Sequence, residues 1–161
     1  MNLKNLFFIK FSYLFLFLTL NSHASNTLDL SDKLDNIYFD VVEKKISFSH
    51  GIPKEFEKYL LYWFENRIKL NGIEGLANIK ILKYFEDELI IDKKKRIEIT
   101  MAFEIDLIKK SKVNSKKIIY GEVFSFGEIS GRFSLDDFDK IIDNARKDLI
   151  LKMNNKLIEN L

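Results

Sequence analysis

The stretch RIEITMAFEIDLI, residues 96–108, alternates without a break: Ile97, Ile99, Met101, Phe103, Ile105 and Leu107 share one parity, and Glu98, Thr100, Ala102, Glu104 and Asp106 share the other. A period of two is the signature of a strand, and this partition gives it one buried face and one wet face. Such a strand belongs to a sheet covered on one side, as antiparallel and α+β domains have, and not to a parallel sheet buried on both.

Working outward, residues 78–88 and 118–131 are also strand-like. The segments 92–95 and 109–117 between them then read as the tips of two hairpins. Gly121 and Gly127 punctuate the third of these runs and predict a bulge or a close backbone approach. Upstream, Ile37, Phe39 and Val41 alternate, and the apolar parity switches to Ile46 and Phe48 across Glu43-Lys44-Lys45. That switch predicts a bulge or a strand end.

Two helices complete the pattern. Gly51 and Pro53 open the first, since proline is tolerated where its missing N–H has no helical partner. Phe56, Leu60, Trp63 and Phe64 form its apolar stripe, and Asn71-Gly72 supplies an expected stop. For the second, Ser134 and Asp137 stand at capping-box spacing, with Phe133 and Phe138 placed to close a hydrophobic staple. Its stripe continues through Ile141, Ile142, Ala145, Leu149, Met153 and Leu157, predicting a helix of about 27 residues and about 40 Å, longer than a small sheet can cover. The expected fold is α+β, with two helices packed on one face of a four-stranded, mainly antiparallel sheet in the order β-α-β-β-β-α.

Residues 1–24 carry an export signal. Lys4 and Lys10 are the only charges of the first ten residues, 11–20 are dominated by Leu and Phe, and Asn21-Ser22-His23-Ala24 supplies small residues where a signal peptidase reads. The apolar run is shorter than the roughly 20 residues of a spanning helix, so cleavage after Ala24 and release to the periplasm or the exterior are expected. The remainder divides into a flexible N-terminus, 25–36, and one domain, 37–161. Removing residues 1–24 takes away two lysines and no acid, leaving 24 basic against 24 acidic side chains. A neutral exported domain is a poor nucleic-acid binder, and that class is set aside. The sequence has no cysteine, which removes thiol nucleophiles, thiolate metal sites, disulfides and the lipid-bearing residue of bacterial lipoproteins. Fifteen Phe, six Tyr and one Trp against one Pro belong to a folded core.

No complete catalytic constellation is present, and no cofactor or metal is expected. The exported portion has one histidine, His50, beside Gly51, and no G-x-S-x-G elbow surrounds Ser125. A lone loop histidine is ordinarily a solvated polar residue, so a small hydrolase built on His50 ranks as a second alternative. Binding candidates are the basic segments: Lys93, Lys94, Lys95 and Arg96 in one, and Lys109, Lys110, Lys112, Lys116 and Lys117 in the other. Both could meet phospholipid or lipopolysaccharide headgroups, and both could equally be solubilising tips. Trp63 and Arg67, one helical turn apart, could frame a small binding site, although a core tryptophan edged by arginine is the ordinary reading.

The run Trp63-Phe64-Glu65-Asn66-Arg67-Ile68-Lys69-Leu70-Asn71-Gly72, followed by Gly75, Ala77, Ile79 and Ile81, resembles a family of small exported proteobacterial proteins of unknown function. That resemblance implies a signal peptide, an early strand, a helix, a glycine-rich turn and strands closed by a C-terminal helix, and it implies no activity. The element order is also similar to the lipopolysaccharide-assembly lipoprotein of the outer-membrane translocon. This second likeness implies a partner in the envelope, and the chain departs from it in lacking the anchoring cysteine.

Together these readings predict an exported binding or adaptor domain in envelope assembly, without catalysis, and alternatively a binder of lipopolysaccharide or anionic lipid. A homodimer through the last helix is a further expectation, because Ile150, Leu151, Leu157, Ile158 and Leu161 leave apolar surface on more than one side.

Overall fold

The alternation of residues 96–108 is the middle of a longer strand, β5 (Lys94–Lys110). The architecture comes from a computed structural model that describes residues 34–110 and 114–161. The export signal, its cleavage site, residues 25–33 of the expected N-terminal tail and Lys112 lie outside the described residues. Around β5 the chain supplies, in order, β1 (Ile37–Phe39), β2 (Glu43–Phe48), α1 (Lys54–Arg67), β3 (Ile68–Leu70) and β4 (Leu76–Ile91). After β5 come β6 (Asn114–Ser130) and α2 (Leu135–Glu159).

The main sheet has the order β2-β4-β5-β6. β2 runs parallel to β4, while β4–β5 and β5–β6 are antiparallel. The expected α+β class, with two helices over a four-stranded, mainly antiparallel sheet, is what the chain adopts. The parity switch after Val41 is a strand end: β1 leaves the main sheet and pairs with β3 in a separate parallel pair, Ile37 opposite Ile68 and Phe39 opposite Leu70.

Both helices lie on the face that carries Ile79, Ile81, Ile97, Ile99, Met101, Phe103 and Ile105, all buried. α1 contributes Phe56, Leu60, Trp63 and Phe64 to this core, and α2 contributes Phe138, Ala145, Leu149, Ile150, Met153 and Leu157. Each such side chain taken from water stabilises the fold by about 1.5–3 kcal/mol before entropy is counted. The two β6 glycines mark close approach and no bulge, since the β5–β6 register is unbroken. A Cβ at Gly127 would sit 2.4 Å from Ile141 Cγ2, and one at Gly121 would sit 2.4 Å from Phe103 Cζ. The sheet's one register shift between these long strands falls at Leu82, between Ile81 and Lys83.

The helix ends follow local chemistry. Ser134 accepts from the Asp137 N–H while Asp137 accepts from the Ser134 N–H, closing the predicted capping box. Phe133 and Phe138 meet as the staple, ring centroids 6.2 Å apart and tilted by 36°. α1 ends at Arg67, four residues before the expected stop at Asn71, because Ile68–Leu70 pairs with β1. Lys44 on β2 finishes that helix, its Nζ donating to the carbonyls of Phe64, Glu65 and Ile68 at 2.9–3.1 Å.

Three further expectations are corrected. The strands run through most of the residues read as hairpin tips. The β4–β5 turn is only Asp92-Lys93, both with positive φ (50° and 64°), as a two-residue hairpin turn requires. Lys94, Lys95, Lys109, Lys116 and Lys117 therefore lie on strands, Lys94 and Lys116 on the wet face and Lys95, Lys109 and Lys117 at the ends of the helix-covered face. The last helix does not outrun its support: 25 residues span about 37 Å, whereas the 17-residue strand beneath spans about 55 Å. Finally, Ile150 and Leu157 are buried against the chain's own sheet, so the proposed dimer stripe shrinks to half-buried Leu151 and exposed Ile158 and Leu161.

Candidate binding face

The opposite face of the sheet is built from the other parity of the same strands, and neither helix packs on it. Cross-strand register lines up Phe85, Thr100 and Phe124 in one row and Asp87, Glu98 and Phe126 in the next. Phe85 and Phe126 are each 52% exposed and Phe124 is 42% exposed, although all three stand on ordered strands. Between them β5 presents only Thr100 and Ala102, small side chains that leave a shallow trough flanked by phenyl rings about 10 Å apart, two strand spacings. Phe124 and Phe126 stack at 6.2 Å. Lys83 lies 4.7 Å over the Phe85 ring and Arg96 lies 4.2 Å over the Phe126 ring, so each edge of the patch carries a cation on an aromatic face.

Towards the end where β5 meets β6 the same face is charged. Lys80 bonds Glu104 and Asp106 at 2.8 Å each, and Lys116 pairs with Asp106 at 2.9 Å. Hydrogen bonds from Lys80 and then Lys116 hold the Asp106 carboxyl below its ordinary range. Bonds to Asp106 and Glu104 raise Lys80 in turn. The face is thus divided into a closed ionic network and an open aromatic patch. Chemically, the patch offers apolar and π surface with a cation at either side, suited to binding.

The sequence-predicted residues do not gather at one place. Lys93–Arg96 and the described Lys109, Lys110, Lys116 and Lys117 sit at opposite ends of β5, about 40 Å apart by strand rise. Lys94 pairs with Glu128 at 2.6 Å, Lys95 with Glu88 at 2.7 Å, and Arg96 with Glu98 at 3.0 Å. Lys109 bonds Asp40, and Lys117 donates to the Leu161 carbonyl at 2.7 Å. Lys93 makes no ion pair among the described residues, and nothing is described of the Lys110 side chain. Trp63 is buried against Phe64, ring centroids 5.2 Å apart, and Arg67 is turned inward to the Leu34 carbonyl. His50 is exposed in the turn between β2 and α1.

The chain is similar in fold to a bacterial lipoprotein. The minor lipoprotein from Acinetobacter baumannii superposes with a TM-score of 0.53 at 11% identity, covering 74% of this chain and 94% of that one. The rare lipoprotein B from Shewanella oneidensis gives a TM-score of 0.44 at 8% identity, covering 73% and 92%. At such identity the Acinetobacter likeness speaks to the fold alone, and at that level it agrees with the element-order resemblance read from the sequence. No family model matches the chain, the resemblance to small exported proteins included, and no curated protein matches it.

Sequence reasoning missed Phe85, Phe124 and Phe126. A signal was present in β6, where both parities are apolar: Ile119 and Val123 on one, and Ile118, Tyr120, Phe124 and Phe126 on the other. An edge strand apolar on both faces has more apolar surface than one core can take.

Proposed function

We propose that this chain is an exported envelope protein that works by binding, as an accessory or adaptor domain in envelope assembly and without catalysis, and that its partner seats on the open sheet face. The observation that carries the reading is the aromatic patch of Phe85, Phe124 and Phe126, exposed on paired strands on the side the helices leave uncovered. Aromatic anchors of this kind supply most of the affinity in protein interfaces. The export signal of residues 1–24 and the lipoprotein name of the Acinetobacter neighbour support the envelope setting. The lysine-segment alternative has less support, because Lys94, Lys95, Arg96, Lys109 and Lys116 each hold a carboxylate of the same chain.

Photo-crosslinking in intact cells tests this reading. A photoreactive phenylalanine analogue at position 124 should yield one discrete adduct in the envelope fraction, and the same group at position 62, exposed on α1, should yield none. Adducts of equal yield from both positions, or none from position 124, would remove the open face as the binding surface.

A further inference from the structure

We propose that the outer edge of β6 pairs with β6 of a second copy of this chain, antiparallel about a dyad at Glu122, so that two four-stranded sheets become one. β6 is the last strand of its sheet, 17 residues long, with an unbroken register to β5 and no proline. Among the described residues no strand pairs with its outer side. Lys152 reaches that side from α2, its Nζ donating to the Phe124 carbonyl at 3.0 Å, which marks the even-numbered residues as those whose N–H and C=O groups point outward. Open strand edges are ordinarily blunted by charge, proline or a bulge. The β2 edge obeys that rule, being six residues long and beginning Glu43-Lys44-Lys45. β6 does not: residues 118–127 hold a single charge, Glu122, and Ile118, Tyr120, Phe124 and Phe126 are 42–55% exposed along them.

The sequence of this edge is complementary to itself. With Glu122 on the dyad, Lys116 stands opposite Glu128 at both ends of the ladder, Ile118 opposite Phe126, and Tyr120 opposite Phe124. Opposite charges thus meet outside, and apolar and aromatic pairs meet inside, the combinations that stabilise cross-strand neighbours. Lys116 and Glu128 already pair with Asp106 and Lys94 of their own chain, so the new contacts extend two existing networks. The opposing factor is Glu122 facing its own copy at the solvated centre. Each pair of opposed even-numbered residues exchanges two backbone hydrogen bonds, and Lys152 releases the Phe124 carbonyl to one of them. Because the dyad uses the apolar edge of both copies, the assembly closes at two. The aromatic patch becomes bipartite, with Phe124 beside Tyr120 of the second copy.

This inference goes beyond the adaptor reading and is tested apart from it, with the purified chain alone. Sedimentation equilibrium in the micromolar range should give twice the chain mass. The sequence has no cysteine, so Glu122→Cys places one thiol on the dyad, where the Cα atoms of an exchanging pair stand about 5.5 Å apart, within disulfide range. Mild oxidation should link this variant into a covalent dimer. Glu128→Cys, exposed on the same strand but opposite Lys116, should stay unlinked. Glu122→Gln removes the like-charge pair and should tighten association by about threefold. A parent chain that sediments as a monomer, or a cysteine at position 122 that does not link, would overturn the proposal. Linkage through position 128 as ready as through 122, or Glu122→Gln association no tighter than that of the parent, would overturn its register. The adduct sought in cells from position 124 stays distinguishable, because a self-adduct runs at twice the chain mass.

Discussion

Arg146 on α2 grips Glu86 on β4 with two prongs, Nη2 to Oε1 at 2.8 Å and Nε to Oε2 at 3.2 Å. The Tyr84 hydroxyl donates to the same carboxylate, and the guanidinium lies 5.5 Å over the Phe56 ring of α1. One ion pair thereby ties both helices to the sheet. Burial, and then the neighbouring Glu86, push the Tyr84 hydroxyl well above the usual phenol range, so it stays a donor at every physiological pH. Arg146→Ala strands a largely buried carboxylate and should cost about 3 kcal/mol in urea unfolding. The double variant Arg146→Leu with Glu86→Leu should recover much of that loss. A double variant as unstable as the single one would show that the pair contributes more than mutual neutralisation.

Gly127 is required by packing and not by backbone conformation. Its Cβ would meet both Ile141 Cγ2 at 2.4 Å and the Ile141 carbonyl at 3.0 Å, and a backbone oxygen cannot step aside. Gly127→Ala should therefore destabilise by about 2 kcal/mol, as overpacking does. Gly127→Ala combined with Ile141→Ala should regain only part of this, because the carbonyl contact remains. Thermal melts of the two variants read the difference.

The start of α2 depends on a reciprocal pair. Ser134→Ala removes the hydroxyl that accepts from the Asp137 N–H at 3.2 Å and should cost about 1 kcal/mol. The Ser134 hydroxyl and N–H also hold the Asp137 carboxyl below its usual range. The variant should therefore raise the Asp137 pKa towards the unperturbed carboxylate value, which a carboxyl-carbon NMR titration measures.

Stability should fall in acid, and Asp106 should account for a measurable part of the fall. Its folded pKa is depressed, so the contribution is fully present above the unfolded value of about 3.9 and is lost as pH drops through the folded value. Lys80 behaves in the opposite sense: its raised pKa contributes below the unfolded value of about 10.4 and is lost as pH rises through the folded one. Urea midpoints across the acid range should show a shallower slope for Asp106→Asn than for the parent chain. Parallel slopes would remove Asp106 from the account.

Strand identity was legible because residues 97–107 alternate strictly, whereas strand ends were not. Lys94, Lys95 and Lys116 suit a hairpin tip and a wet strand face equally well, and their partners Glu128, Glu88 and Asp106 are remote or unmarked in sequence. The end of α1 was hidden for the same reason: Ile68-Lys69-Leu70 continues the helical stripe, and only the pairing with Ile37–Phe39 decides for a strand. The capping box of α2 was read correctly since Ser134 and Asp137 are three residues apart. For the binding face, alternation showed that β5 has a wet side, yet it could not show that Phe85 and Phe124 would flank Thr100 there. That juxtaposition is set by the register between strands.

The account rests on an exported chain acting in the envelope. Fractionation of cells carrying the tagged protein, with N-terminal sequencing of the product, tests this most directly. It predicts a chain beginning at Ser25 in the periplasmic or membrane-associated fraction. An intact chain beginning at Met1 among the cytosolic proteins would contradict it.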